Sequence, residues 1–100
     1  MYNYRVHNLQ EESRPVPSGY TSWLDYWEKS TKEHARWCHN VDCSGFLRVA
    51  TDGAHVQLDD PTNNNWYIVP LCHSCNCQFG ANFVVRAPLV SATAPNDILP

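Results

Sequence analysis

The sequence predicts a small α+β domain whose fold depends on a bound metal ion. Three observations support this fold class. The chain has 100 residues, 43% of them apolar, which is enough for only a small hydrophobic core. A helical pattern precedes several short apolar runs that are typical of strands. Two close pairs of cysteines bracket those runs, and such pairs are common ligands of a stabilising metal ion.

A helix is expected over residues 22–36. Ser22, followed three residues later by Asp25, resembles a capping box at a helix start. Aromatic residues, among them Trp23 and Trp27, crowd the first turns. Aromatic side chains in this setting usually pack against a sheet. We therefore predict that the helix covers a small core.

Strand-like runs follow the helix. Residues 46–50 and 54–58 are joined by Thr51-Asp52-Gly53, in which Asp-Gly is a strong turn signal, so the two runs predict a hairpin. Residues 66–71 are apolar and lead into the second cysteine pair, although Pro70 indicates a sheet edge or a strand end. The other predicted elements are a short helix over 72–80 and a last strand over 83–86.

The chain is predicted to form one domain between two polar ends. Residues 1–18 lack sustained periodicity and are expected to be a flexible arm, residues 19–87 form the domain, and residues 88–100 form a tail. The first residues lack the apolar core of a signal peptide. No apolar run approaches the roughly 18 residues of a membrane span. The sequence therefore predicts a cytoplasmic protein that makes no membrane contact.

The cysteine spacing favours a metal site over disulfides. Five cysteines are an odd number, and four of them form two pairs with the spacing of zinc ligands. We predict one structural zinc ion per chain. His39 and His73 each neighbour a cysteine of a pair, and either could replace it as a ligand. Cys77 is left over, as a reactive thiol or as a small buried residue. The predicted ligands are Cys38, Cys43, Cys72 and Cys75.

The charge balance bears on possible partners. Ten acidic and seven basic residues give a formal net charge of −3, and the basic residues are scattered along the chain. A general nucleic-acid binder normally carries a basic patch, so DNA is the less favoured partner. Tyrosine and tryptophan favour the centres of protein interfaces. The main predicted function is therefore a protein-binding module, either an adaptor or an inhibitor. The aromatic residues that support it are Tyr20, Trp23, Tyr26, Trp27 and Trp66.

The order of elements resembles a known class of zinc finger. A cysteine turn, a hairpin and a helix that supplies two more cysteines is the order of a treble-clef or ββα-like finger, here with an added N-terminal helix and a final strand. Two segments, Gly53-Ala54-His55-Val56 and Tyr67-Ile68-Val69-Pro70-Leu71-Cys72-His73-Ser74-Cys75-Asn76, resemble the zinc-containing HNH family of endonucleases. The resemblance extends from Cys38 to Gln78.

This resemblance implies two catalytic roles. In that family the hairpin histidine activates water, and a polar residue early in the helix helps to hold a divalent cation at the scissile phosphate. The matching positions are His55 and Asn76, and the second cation would be magnesium, manganese or nickel. Ala54 and Tyr67 stand where the family has a metal ligand and an asparagine, so the implied centre is incomplete unless another subunit supplies a ligand.

Three functions follow as alternatives to be weighed. The protein-binding module comes first, a metal-dependent DNA endonuclease with His55 as general base comes second, and a nucleic-acid-binding module without catalysis comes third. The residues alone also allow structural roles for the two implied catalytic positions. His55 can hydrogen-bond a backbone carbonyl in the hairpin, and Asn76 can cap the cysteine turn.

Overall fold

The computed structural model describes residues 2–9, 14–43 and 48–100. Within these ranges the chain forms six strands and two helices. In chain order they are β1 (Asn3–Asn8), α1 (Trp23–Thr31), β2 (Asp52–Leu58), β3 (Trp66–Leu71), α2 (His73–Asn76), β4 (Asn82–Arg86), β5 (Leu89–Ser91) and β6 (Ile98–Leu99). The strands form one antiparallel sheet in the order β4-β1-β2-β3-β5-β6. Neither helix is both long and apolar enough to span a bilayer.

The two faces of the sheet bury different sets of side chains. Successive residues of a strand point to opposite faces, so Ala54 and Val56 of β2 face one side and His55 faces the other. We call the first face the cysteine side, because the four paired cysteines are buried there together with Val6, Val56, Val69, Leu71, Val85 and Leu89. The second face, the helix side, packs against α1 through Tyr26, Trp27, Ile68 and Val90.

Helix α1 begins as the sequence predicts and ends earlier. The Ser22 hydroxyl accepts a hydrogen bond from the Asp25 N–H at 3.0 Å, which confirms the predicted cap. The helix ends at Thr31 because Lys32 takes a left-handed conformation, with φ of 61°. Beyond it, the Ala35 N–H donates to a Glu28 carboxylate oxygen at 2.7 Å instead of continuing the helical pattern. This turn leads the chain back to the sheet.

The treble-clef prediction is wrong, and the reason lies at Asp52 and Gly53. These residues lie inside β2, where they pair with Leu71 and Pro70 of β3, and they form no turn. Strand β2 therefore runs antiparallel to β3 and to β1. Of the strand predicted over 46–50, residues 46 and 47 lie outside the described residues, and Val49 forms an isolated bridge with Trp37. A six-stranded sheet replaces the predicted zinc finger.

Gly53 serves a close approach. A Cβ atom added there would lie 2.5 Å from the Trp23 carbonyl carbon and 2.6 Å from the Leu24 nitrogen, both in the backbone of α1. Glycine in a strand often marks such a contact between backbones. The start of α1 therefore rests directly on β2, and this contact fixes the helix on its side of the sheet.

Both ends of the chain contribute strands. Within residues 1–18, where the sequence predicts a flexible arm, β1 lies between β4 and β2. Within residues 88–100, the predicted tail, β5 pairs with β3 and β6 pairs with β5. The β1 sequence is mostly polar, so its pattern did not indicate a strand, yet Val6 and Asn8 are fully buried. The boundaries of the domain stay a prediction.

The other predicted elements differ less. The strand predicted over 66–71 has the same bounds as β3, and the last predicted strand corresponds to β4. Pro70 is compatible with the sheet because β5 pairs with Tyr67 and Ile68 only and ends before it. The second predicted helix is shorter than expected, since α2 spans only His73–Asn76.

Candidate metal centre

The first cysteine pair lies on a turn held against the sheet. The His39 N–H donates to the Pro70 carbonyl near the end of β3 at 2.9 Å. The Cys43 N–H donates to the Asn40 carbonyl at 3.1 Å and closes the turn. These backbone bonds place the side chains of Cys38 and Cys43 on the cysteine side, where both are buried.

The second pair lies where β3 passes into α2. Cys72 is the N-cap of α2, and its carbonyl accepts from the Asn76 N–H at 3.0 Å. From β1, the fully buried side chain of Asn8 donates through Nδ2 to the carbonyls of Asn76 and Gln78, each at 3.0 Å. Strand β1 thereby holds the turn that carries Cys75. Sequence reasoning missed Asn8, because a polar residue in an irregular segment gives no sign of burial.

Four sulfur atoms converge between these two turns. The Sγ atoms of the four paired cysteines all lie within 4.8 Å of one another, and all four residues are buried. The Cys43 and Cys72 sulfurs are 3.7 Å apart. Tetrahedral zinc, with Zn–S bonds of about 2.3 Å, would separate its sulfur ligands by about 3.8 Å. The four cysteines can therefore hold one metal ion. The four residues are Cys38, Cys43, Cys72 and Cys75.

The surroundings of the sulfurs suit a bound cation. Burial raises the pKa of the Cys38 and Cys75 thiols, and at Cys75 the neighbouring Cys72 thiol adds to the rise. Backbone N–H groups of Cys72 and Asn40 oppose the rise at Cys38. The Asn40 side chain also donates to the Cys75 sulfur at 3.5 Å. A divalent ion would offset the repulsion between several thiolates held close together. The Asn40 side chain and the backbone N–H groups would then stabilise the negative charge on the sulfurs by hydrogen bonding.

His39 faces away from the sulfurs. Its Nδ1 donates to the Arg86 carbonyl at 2.9 Å, and its ring meets that of Trp27 edge to face at 5.3 Å on the helix side. Burial lowers the pKa of His39, which favours the neutral ring. Arg86 in turn donates through Nη2 to the Cys38 carbonyl at 2.8 Å. Both residues therefore hold the first cysteine turn against β4.

His73 is engaged elsewhere as well. Its Nδ1 lies 3.0 Å from Asp52 Oδ2, and its Nε2 lies 3.4 Å from the Cys77 sulfur. Asn76 donates to the same Asp52 oxygen at 2.9 Å. Partial burial raises the pKa of Asp52, but hydrogen bonds from Asn76, His73 and Thr51 outweigh it and lower that pKa below its ordinary value. Cys77 thus has a base beside it, which the sequence did not indicate.

His55 and Asn76 line one cavity of about 260 Å³, so the structure brings the two implied catalytic residues to a shared site. The His55 ring is 5% exposed and lies edge to face with Trp23 at 4.7 Å and Trp66 at 6.1 Å. The Asn76 side-chain amide is bound to Asp52. These are contacts that fix side chains in place, and the catalytic roles of both residues stay predictions.

No ligand group for a second cation converges in the part of the chain that the structure describes. Within residues 2–9, 14–43 and 48–100, the four cysteines are the one group of three or more Cys, His, Asp or Glu side chains whose ligand atoms converge. Neither His55 nor Asn76 belongs to it. The magnesium, manganese or nickel ion that the family resemblance implies therefore stays a prediction.

Comparisons with known proteins leave the geometry to define the class. No family model, no curated protein and no solved structure matches the chain. The resemblance to the HNH family accordingly stays a prediction from motifs. The fold and the site define an antiparallel-sheet protein with a buried group of four cysteines that can hold one metal ion.

Proposed function

We propose that this chain is a zinc-binding module, in which one structural zinc ion joins the two cysteine turns. The observation that carries the proposal is the convergence of four buried sulfurs within 4.8 Å. Four thiolates in a tetrahedral arrangement favour zinc over harder cations such as magnesium. Each turn belongs to a different part of the chain, so the ion would cross-link the segment before β2 to the segment after β3.

The ion would contribute directly to folding. Binding of structural zinc to such sites is worth on the order of 10 kcal/mol or more, because the ligands are brought together only in the folded chain. A domain of this size has a small core, and the four cysteines are part of it. The zinc would therefore act as a staple for the cysteine side of the sheet, with all four ligand positions filled by protein.

The test is metal content and stability in matched cysteine variants. We expect native mass spectrometry of the full chain to find one zinc ion, and chelation to unfold the protein. Cys43→Ser should lose zinc and cooperative unfolding. Cys77→Ser, which changes an exposed cysteine outside the group, should keep both. Zinc loss that leaves the unfolding transition unchanged, or equal zinc loss in both variants, would overturn the proposal.

The protein-binding role is a prediction with a changed basis. Of the aromatic residues that support it in the sequence, Tyr26 and Trp27 are each 1% exposed and belong to the core. Trp37 is 57% exposed and lies beside Val49, also exposed, next to the first cysteine turn. Trp37 is therefore the residue to replace in a test of partner binding.

The nuclease role is tested separately. The burial of His55 between two tryptophans favours a structural role for its ring. If the nuclease prediction is right, zinc-loaded protein nicks supercoiled DNA when magnesium, manganese or nickel is added, and His55→Ala does not. A folded and inactive wild type would leave the structural zinc module as the function.

A further inference from the structure

Cys77, the cysteine outside the group of four, lies beside a histidine that in turn contacts a carboxylate. Cys77 follows α2 directly and is exposed. Its sulfur lies 3.4 Å from Nε2 of His73, and Nδ1 of the same ring lies 3.0 Å from Oδ2 of Asp52. The imidazole thus lies between a thiol and a carboxylate, with one ring nitrogen next to each. This is the order of nucleophile, base and orienting group in thiol-dependent acyl transfer.

The same geometry argues against a metal site at these three residues. Nδ1 and Nε2 point away from opposite sides of an imidazole ring. Asp52 lies at Nδ1 and Cys77 lies at Nε2, so one metal ion cannot bind His73 and both of these side chains. The convergent group of four cysteines does not include Asp52, His73 or Cys77. A relay of hydrogen bonds through the ring fits this arrangement, and chelation does not.

Asp52 is held in place to orient the ring. It lies in β2, paired with Leu71 of β3, so its backbone is part of the sheet. Asn76 donates to Oδ2 at 2.9 Å, and the Thr51 hydroxyl donates to Oδ1 at 3.0 Å. The carboxylate therefore offers His73 an acceptor in a fixed position. That acceptor leaves Nε2 directed at the Cys77 sulfur.

A cavity of about 260 Å³ opens beside the thiol. Cys77 and His73 both line it, together with the apolar side chains of Trp23 and Phe79. Arg14, whose guanidinium carbon lies 4.3 Å from the centre of the Trp66 ring, adds a positive charge to the lining. The volume lies below the roughly 300 Å³ at which drug-sized pockets begin, so the cavity suits a small compound with an apolar part.

We propose that Cys77, His73 and Asp52 form a nucleophilic thiol centre that accepts an acyl group from small activated esters. The Cys77 sulfur attacks the carbonyl carbon, and its proton passes to His73 Nε2. A new sulfur–carbon bond forms, the ester carbon–oxygen bond breaks, and His73 returns the proton to the departing oxygen. The products are a thioester on Cys77 and a free alcohol or phenol. Asp52 positions His73 through Nδ1.

The test uses the full zinc-loaded chain with p-nitrophenyl acetate as the probe, at one fixed pH. We expect one equivalent of p-nitrophenolate per chain in a rapid phase, with one acetyl group mapped to Cys77 by peptide mass spectrometry. Cys77→Ser should abolish the rapid phase. His73→Gln should slow it by about a hundredfold, the order of effect expected when a general base is lost.

Two further variants make the result specific. Asp52→Asn should also slow acetylation, and Asn76→Ala should slow it by a smaller factor, since each acts through the position of the ring. His34→Gln, a change at an exposed histidine paired with Glu28 on another part of the surface, should leave the rate unchanged. Zinc content and unfolding midpoint, measured for every variant, separate loss of fold from loss of reactivity.

The outcomes are decisive in either direction. Equal acetylation rates in the wild type and in folded, zinc-loaded His73→Gln would overturn the proposal, as would acetylation spread evenly over lysines with none at Cys77. His73 is an exposed residue, so its replacement keeps the test available even if Asp52→Asn fails to fold. The proposal goes beyond the zinc module and is independent of which metal the four cysteines hold.

Discussion

Asn40 links the backbone of the first cysteine turn to a sulfur of the second pair. Its carbonyl closes the turn by accepting from Cys43, its Oδ1 accepts from the Asp42 N–H at 3.0 Å, and its Nδ2 donates to the Cys75 sulfur at 3.5 Å. The residue is 6% exposed, so a lost hydrogen bond there is not readily replaced by water. This residue therefore shapes the turn through its backbone and its side chain, and its side chain would stabilise a thiolate at Cys75 when a metal ion is bound.

This role predicts weaker metal binding in Asn40→Ala. Removal of an outer-shell donor typically lowers metal affinity by about 10- to 100-fold, and we expect an effect of that size here. The measurement is competition for zinc against a chelator of known affinity. Asn64→Ala, a change at an exposed asparagine, is the matched control. Equal zinc affinities in the two variants would show that Asn40 contributes only to the shape of the turn.

Single residues also mark where sequence reasoning reached its limit. The convergence of the four paired cysteines could be predicted, because ligand spacing is a local property of a chain. The pairing of His73 with Asp52 could not, because β2 and α2 are brought together by the sheet. The relation of His73 to Cys77 was accessible in principle, since residues four apart meet on a helical turn. Its significance depended on the distant carboxylate.

At the scale of elements, helix α1 and strand β2 depend on one contact. The backbone of α1 at Trp23 and Leu24 lies so near β2 that a Cβ atom on Gly53 would be 2.5 Å from the Trp23 carbonyl carbon. Backbone atoms cannot move aside as a flexible side chain can. A methyl group at this position must therefore push the helix away from the sheet.

Gly53→Ala is accordingly expected to lower the free energy of unfolding by about 1 to 3 kcal/mol, the usual cost of overpacking. Chemical denaturation of the zinc-loaded protein measures it. Gly80→Ala is the comparison, because its Cβ would meet nothing within 4 Å and its cost comes from its positive φ of 80°, a backbone strain that Gly53 does not share. If Gly53→Ala proves as stable as the wild type, α1 does not rest on β2 as closely as described.

The same elements explain which parts of the fold could be predicted. The start of α1 was correct, because a cap such as Ser22 with Asp25 acts within one turn. The prediction of strand β3 was correct, because its six residues are apolar and include β-branched side chains, so the local sequence is sufficient to indicate a strand. The turn predicted at Asp52-Gly53 was wrong. The sequence cannot distinguish a glycine that a turn requires from one that lets a helix backbone pack closely against a strand.

At the scale of the whole molecule, β1 determines the order of the sheet. It pairs with β2 on one side and β4 on the other, so the first residues of the chain join segments from its middle and its end. Such pairings leave little trace in the sequence of a short polar strand. Val6 and Asn8 bury their side chains among residues far away in the chain, which explains why residues 1–18 read as a flexible arm.

This topology predicts the outcome of deleting residues 1–9. The deletion would leave β4 without its partner in the sheet, expose the cysteine side, and release the turn after α2 from Asn8. We expect the shortened chain to lose cooperative thermal unfolding and to bind zinc far more weakly, because its ligand turns would no longer be held together. Circular dichroism on heating and native mass spectrometry measure the two effects.

Two substitutions within β1 separate the loss of a packed strand from the loss of a tail. Val6→Ala removes buried methyl groups and should cost about 1 to 3 kcal/mol of unfolding free energy. Arg5→Ala, at the neighbouring exposed position, removes only a surface ion pair with Asp59 and should cost less than about 1 kcal/mol. A shortened chain that unfolds cooperatively and keeps its zinc, together with equal stabilities of these two variants, would support the flexible arm predicted from the sequence. The opposite pattern would place β1 among the strands on which the metal centre depends.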